Sequence, residues 1–325
     1  MPGRLARQAR RRRPPGPRVV VVGSIYCDLI FFNLDGVPAL GEEVRKDRFA
    51  ITLGGGAYIT AVGLRRLGLE VAVRAYVGRD ILGQFQLDGL RRERVDVSLV
   101  RPHPRLGTAV SVAFSTTADR GFVSFAGCAA ENARLLRDWK WATDPRVRHV
   151  HFAGVRPPFD AAVDLMRRLR VMRVTTSLDM GWNPAVYSDP QFREVVTSVT
   201  IFLPSWPDAR WFTGRATPEQ AVRILGDLVP VPVIKLGAEG AVGLEEGRPL
   251  RVRPPEVAPV ETTGAGDAFN AGFLWAWLRG EPLPRCLRAG NICGALSTQA
   301  PGGTTAFPTL RRLHAALRDA ERAPA

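Results

Sequence analysis

Short runs of apolar, mostly β-branched residues alternate along this chain with stretches of helical length, and that alternation limits the fold more than any other feature. Val19–Gly23 is continuously apolar, the mark of a strand covered on both faces, where nothing favours a polar alternate. Val71–Val77, His149–Gly154, Val174–Asp179, Val199–Leu203 and Val233–Leu236 repeat the pattern. Between them lie helical stretches. Ala61, Leu64 and Leu67 share one stripe, with Gly68 where a C-terminal cap glycine belongs. Gly83–Arg92, Asp160–Leu169, Pro218–Leu228 and Ala265–Leu278 follow. Parallel strands need helical crossovers, so the expected class is α/β, a doubly wound and mostly parallel sheet flanked by helices. Leu40–Thr52 and Thr108–Phe125 are strand-like without an intervening helix. They are expected to form a small β lid apart from the main sheet.

Composition narrows the class without choosing a function. The chain has 325 residues, 46% hydrophobic and 23% charged, enough to bury a core without disulfide or metal staples. That excludes a wholly disordered, collagenous or membrane-embedded chain. No apolar stretch reaches the ~18 residues a membrane helix needs; Ala268–Leu278 is broken by Asn270 and Gly272. The formal charge is +14, but Arg4, Arg7, Arg10, Arg11, Arg12, Arg13 and Arg18 supply half of it, with no acid among them. Residues 1–17 therefore read as a disordered Arg/Pro-rich leader or an early start, and 18–325 as the folded body. A polyanion-binding arm is the alternative, but nucleic acid is not the expected partner. The leader has no apolar h-region of a secretory signal, and the four cysteines show no CxxC spacing. A cytoplasmic location is expected.

The chemistry concentrates in Thr262-Thr263-Gly264-Ala265-Gly266-Asp267-Ala268-Phe269, which runs straight into a helical stretch. Two glycines around a small residue let backbone N–H groups converge at a helix N-terminus, where the helix carries partial positive charge. Asp267 in the first turn could take the proton of an attacking hydroxyl while those N–H groups hold a phosphoryl group. A capped helix start with an acid at its positive end is an equally good reading from these residues alone. A Walker A loop is excluded, because the chain contains no Gly-Lys pair. The dinucleotide fingerprint fails too, since Phe269 stands where its third glycine or alanine belongs.

The Thr262–Phe269 segment resembles the C-terminal signature of ribokinase-like, PfkB-type carbohydrate kinases. Gly54-Gly55-Gly56…Ala61…Leu67-Gly68 resembles their N-terminal signature, and further matches run in order from Arg18 to Pro308. The resemblance implies a ribokinase-like kinase domain and phosphoryl transfer from ATP, with Mg²⁺ and a monovalent cation such as K⁺, to a sugar or sugar-like hydroxyl. It makes Asp267 the base and Gly264, Ala265 and Gly266 the anion hole. Asp28, Tyr26, Gly54, Gly55 and Ile59 fall on substrate-binding positions. Lys235, Gly237, Gly240 and Asn291 fall around the nucleotide, and Asp208, Glu261 and Thr263 fall on metal-associated ones. A homodimer through the lid is also implied.

Departures from the family pattern are informative. Its common Asn-x-x-Glu motif is Ser205-Trp206-Pro207-Asp208 here, and Glu261 stands where an aspartate is usual. A sugar-contacting Asn is replaced by Ile59, another amide by Tyr26, and a lysine by Gly56. Ribose hydroxyls would lose partners at ~1–3 kcal/mol each, so an unphosphorylated, less ribose-like sugar or a nucleoside stacked on Tyr26 is expected. A catalytically weak sugar- or nucleotide-binding regulator is the reading from another class. His149 and His151 share a strand face but lack a third ligand nearby in sequence, and the scattered tryptophans suit packing.

Overall fold

The structure, a computed structural model, describes residues 18–116, 120–181 and 188–322. The Arg-rich leader lies outside them. Strand β1 (Arg18–Gly23) pairs in parallel with β4 (Glu70–Arg74) on one side and with β9 (Val147–Ala153) on the other. Beyond β9 the sheet grows in parallel through β10 (Thr175–Asp179), β11 (Ile201–Phe202) and β12 (Val231–Lys235). It ends in an antiparallel hairpin of β13 (Ala241–Glu245) and β14 (Arg248–Val252). The order is β14-β13-β12-β11-β10-β9-β1-β4.

The unbroken apolar runs have the cause expected of them, because this sheet has a core on each face. Val19 and Val21 pack with the helices Gly56–Arg66, Ala265–Trp277 and Leu283–Ser297. Val20 and Val22 turn the other way, towards the helix Asp160–Val171 and Phe152, Phe159 and Phe192. Both registers of the pleat are buried, so a period of two never emerges.

A second, four-stranded sheet has the order β3-β2-β7-β8, from β2 (Tyr26–Leu34), β3 (Phe49–Gly54), β7 (Val110–Thr116) and β8 (Arg120–Phe125). Strand β2 pairs antiparallel with β3 and parallel with β7, while β5 (Tyr76–Val77) and β6 (Arg101–Pro102) form a short parallel pair of their own. The expected strand content of Leu40–Thr52 needs correction: regular pairing begins only at Phe49. The central strand β2 has no counterpart among the expected elements, and Asp28 sits inside it. The polar Asp28 and Asn33 interrupt its apolar run, which hides the strand in a one-dimensional reading. Phe31, Phe49, Ile51, Phe122 and Phe125 leave part of this sheet exposed and apolar. Two residues, Ser24 and Ile25, join β1 to β2, so the small sheet is rooted at the carboxyl end of the large one. Among the described residues no helix is long and apolar enough to cross a membrane.

Candidate active site

Strand order reverses at β1: the chain moves to β4 on one side, then returns to β9 and proceeds outward on the other. In open α/β sheets ligands bind off the carboxyl ends of the strands at such a switch point. A cleft of about 200 Å³ lies there, lined by Ser24, Tyr26, Asn132, Gly154, Arg156 and Met180 among others. Its volume is below that of drug-sized pockets and suits a small polar molecule. Ala153 of β9 links the cleft to the helix Ala265–Trp277: a methyl group on Gly56 would lie 3.1 Å from its Cβ and 2.9 Å from Oδ1 of Asp267.

The strip Gly54-Gly55-Gly56 separates two carboxylates. A methyl group on Gly54 would fall 1.9 Å from Oδ2 of Asp28, while Gly56 sits equally bare against Asp267. Neither carboxylate has a hydrogen-bonding or ionic partner among the described residues. Burial, and then the charge of Glu261, push the Asp28 carboxyl up to about 6. Asp267 is pushed up to about 7, first by burial and then by Asp179, against the opposing pull of Lys235. Two unpartnered acids facing one side-chain-free strip make a place for a hydroxylated ligand, since burying acceptors without donors otherwise has only a cost.

The glycine-rich turn behaves as a helix start. Gly264 caps the helix with φ 77°, a left-handed conformation that glycine adopts without penalty. The Ala265 N–H closes onto the Thr262 carbonyl at 3.2 Å, whereas those of Gly266 and Asp267 have no partner among the described residues. These donors, at the positive end of a 13-residue helix, suit an anion. Thr60 Oγ1 donates to the Asp267 carbonyl at 3.3 Å and ties this turn to the Gly56–Arg66 helix.

Beneath Asp267 lies a buried polar cluster that the motifs did not disclose. Lys235 Nζ is 2.5 Å from Asp179 Oδ2, and Asn270 Nδ2 donates to the same oxygen at 2.5 Å. A methyl group on Gly266 would lie 3.3 Å from Lys235 Nζ. Lys235 is thus buried in an ion pair instead of standing free along a nucleotide cleft. Asp179 ends β10 and Asn270 lies one turn past Asp267, a spacing that offered the only sequence signal. His149 and His151 are buried beside this cluster, share Ser177 Oγ at 2.8 and 2.7 Å, and are driven down to about 3 and about 4 by burial. They are neutral core residues.

The remaining candidates fall in varied places. Tyr26 lines the cleft at the start of β2. Ile59 is buried, wedged against Gly264 and Gly303. Gly55 has φ 85° and Gly54 the Asp28 contact. Gly237 and Gly240, at φ 60° and 92°, shape the turn between β12 and β13. Asn291 donates to the Val252 carbonyl at 2.7 Å, tying the Leu283–Ser297 helix to β14. Asp208, 2% exposed, accepts from Ser205 Oγ at 2.6 Å and closes the N-terminus of the helix Trp206–Thr213. Glu261 accepts from the Thr263 and Gly302 N–H groups at 2.6 and 2.9 Å. Among the described residues no three His, Cys, Asp or Glu side chains form a metal site.

Residues 17–310 match the model of the pfkB family carbohydrate kinases. The chain is 30% identical over 285 residues to a 2-dehydro-3-deoxygluconokinase of Bacillus subtilis, covering 82% of this chain and 86% of that protein. It is 29% identical over 248 residues to an uncharacterized sugar kinase of Archaeoglobus fulgidus, covering 76% and 98%. A solved ribokinase of Arabidopsis thaliana, complexed with ribose and ATP, superposes with a TM-score of 0.79 over 93% of this chain and 99% of its own, at 22% identity. With the family match spanning nearly the whole described body, the two-sided sheet and its switch-point cleft are those of a ribokinase-like fold, and the chain belongs to the pfkB family of carbohydrate kinases, phosphotransferases that act on an alcohol group.

Proposed function

We propose that this kinase moves the γ-phosphate of ATP to a hydroxyl of a sugar or sugar-like small molecule, with Asp267 taking the hydroxyl proton. The carrying observation is the pair of unpartnered carboxylates, Asp28 and Asp267, on either side of Gly54–Gly56. Asp28 would anchor a substrate hydroxyl, and the bare strip lets the sugar approach the backbone. The N–H groups of the Gly264–Asp267 turn would hold the transferring group as charge builds on it. With its carboxyl raised to about 7, Asp267 is matched to proton transfer near neutrality.

Mg²⁺-bound ATP supplies the phosphoryl group, the metal neutralising its charge. The absence of a three-ligand protein cluster among the described residues fits a metal held chiefly by phosphates, with one or two carboxylates at most. Asp208 is the acid for water-mediated contact. The Glu261–Thr263 turn is the candidate for K⁺, tested by comparing turnover in K⁺ and Na⁺ buffers. Lys235, through Gly266, and the Gly237–Gly240 turn would shape the nucleotide side from beneath.

Tyr26 on the cleft wall supports a second reading, a nucleoside kinase with the base stacked on the ring. An ADP-release screen over hexoses, pentoses, aldonates, inositols and nucleosides separates the two. No turnover on any of them, with ATP binding retained, would instead favour a regulator. We also propose that the apolar face of the small sheet pairs two copies of the chain. Four buried free cysteines and the use of ATP suit a cytoplasmic enzyme.

A further inference from the structure

A file of polar side chains crosses the sheet face whose core is otherwise built from residues such as Val19, Val21, Ile201 and Val233. On β9, His149 and His151 alternate with Val150 and Phe152, which belong to the opposite core, so the two rings share one face. Thr175 and Ser177 of β10 stand beside them in parallel register, and Asp179 follows on the same face. Their hydrogen bonds run in one line. Thr175 Oγ1 donates to the Arg148 carbonyl at 3.2 Å and meets His149 Nδ1 at 2.8 Å. His149 Nε2 and His151 Nδ1 meet Ser177 Oγ at 2.8 and 2.7 Å. His151 Nε2 ends the file, buried and without a hydrogen-bond partner among the described residues.

The Arg148 carbonyl sets the direction of every hydrogen in this line, because a carbonyl only accepts. Thr175 uses its one hydrogen there, so its oxygen accepts from Nδ1–H of His149. Burial drives both rings down, to about 3 and about 4, and keeps them neutral. A neutral His149 then has a bare Nε2, which takes the Ser177 hydroxyl hydrogen. Ser177 accepts in turn from Nδ1–H of His151, and His151 Nε2 is left as a lone pair in the core. A buried acceptor without a donor is a cost. The charges of Asp179 and Lys235 both reach this ring. Lys235 Nζ carries three hydrogens, and its bonds to Asp179 Oδ2 at 2.5 Å and Asn270 Oδ1 at 3.4 Å use two.

We propose that His151 is a positioning residue for the kinase reaction: its bare Nε2 accepts the third Lys235 hydrogen, directly or across one water, and holds that ammonium beneath Asp267. This rests on Asp267 as the base. The flexible lysine stem can turn its head group towards the ring. Asp179 from β10 and Lys235 from β12 are the charged groups that face Asp267, and Lys235 opposes the rise of its carboxyl. An acceptor at Nε2 favours the charged ammonium, and the ammonium favours an ionised Asp267. Apolar side chains would fill this part of the core with no hydrogen-bonding demand, so the file is accounted for by the use of its end.

Long-range proton–nitrogen correlation spectra of the full chain, labelled at histidine, read the tautomer of each ring without any substitution. The chain has four histidines, and His103 is an internal reference of the opposite sense. Its Nδ1 accepts from the Arg105 and Leu106 N–H groups at 3.2 and 2.8 Å, which puts its hydrogen on Nε2, facing Glu131. The expected result is Nδ1–H on His149 and His151. Nε2–H on His151 overturns the proposal, because Lys235 then has no acceptor there. Two variants supply the kinetic arm. The amide of His151→Asn still reaches Ser177 but not the place of Nε2, whereas that of His151→Gln reaches the place of Nε2 and gives up Ser177. His151→Asn is expected to move the acid limb of kcat/KM upward by about 0.5 pH unit or more, and His151→Gln to restore most of the wild-type position. A merely structural role, resting on the Ser177 bond, predicts the reverse order. A limb that moves in neither variant, or only in His151→Gln, overturns the proposal and leaves the kinase reading standing. A wild-type profile that is flat through neutral pH sinks Asp267 as the base and this proposal with it.

Discussion

Two acids, Asp28 and Asp267, flank the glycine strip, and they are held in different electrostatic states for identifiable reasons. Asp267 is raised to about 7 by burial and by Asp179, so it is a base only above that pH. The kcat/KM profile is expected to climb as pH rises through about 7, and Asp267→Asn to lower kcat by about 10²–10⁴-fold with KM for ATP little changed. Equal turnover in the variant would sink the assignment. Asp28 is raised to about 6 by burial and by Glu261, which makes its ionised form a stability cost. Folding penalises that charge fully above pH 6 and not at all below the unfolded value of 3.8. Asp28→Asn should therefore raise Tm at pH 8 by about 2–4 °C, a gain that shrinks towards pH 4, while KM for the sugar rises at least ~10-fold. A Tm that falls at pH 8 would contradict the electrostatic account. Asp267 was legible from its motif, because a glycine turn opening a helix leaves a local signature. The environment that raises its pKa was not, because Asp179 is 88 positions away in sequence.

Elements carry the site by meeting at their ends. Strands β10 and β12 and the Ala265–Trp277 helix contribute Asp179, Lys235 and Asn270 to one buried cluster under the glycine turn. Lys235→Met would strand the Asp179 charge, costing about 3–5 kcal/mol, readable as a shift in urea midpoint. It would also move the acid limb of the pH profile upward, since Lys235 opposes the rise at Asp267. The long central strands were readable from unbroken apolar runs. Strand β2 was not, because its residues serve two masters: Cys27 and Ile30 are buried, Asp28 faces the glycine strip, and Phe31 is exposed. Its outer neighbours form an apolar face in which Phe31 and Phe49 pack at 5.0 Å between ring centroids. If two copies meet there, Ile51→Glu should turn a dimer into a monomer by sedimentation. A wild-type monomer at working concentration would remove that proposal.

At the scale of the whole molecule, the basic charge and the kinase body separate. Half of the formal +14 comes from arginines in the first eighteen residues, and the family match begins at residue 17. A chain without residues 1–17 is expected to keep its kcat within about two-fold, because nearly all of the family match lies beyond them. A large loss would assign the leader a role in the fold or the site. By itself the sequence determined the α/β class, the glycine turn with its acid, and membership of a kinase family, since each is written in local spacing. Only the tertiary structure decided that Asp28 and Asp267 flank one bare glycine strip and that Lys235 is buried against Asp179. Those facts depend on which strand ends and helix starts converge at the switch point. Convergence is a property of packing across the sheet, and residues far apart in the chain leave no local trace of it.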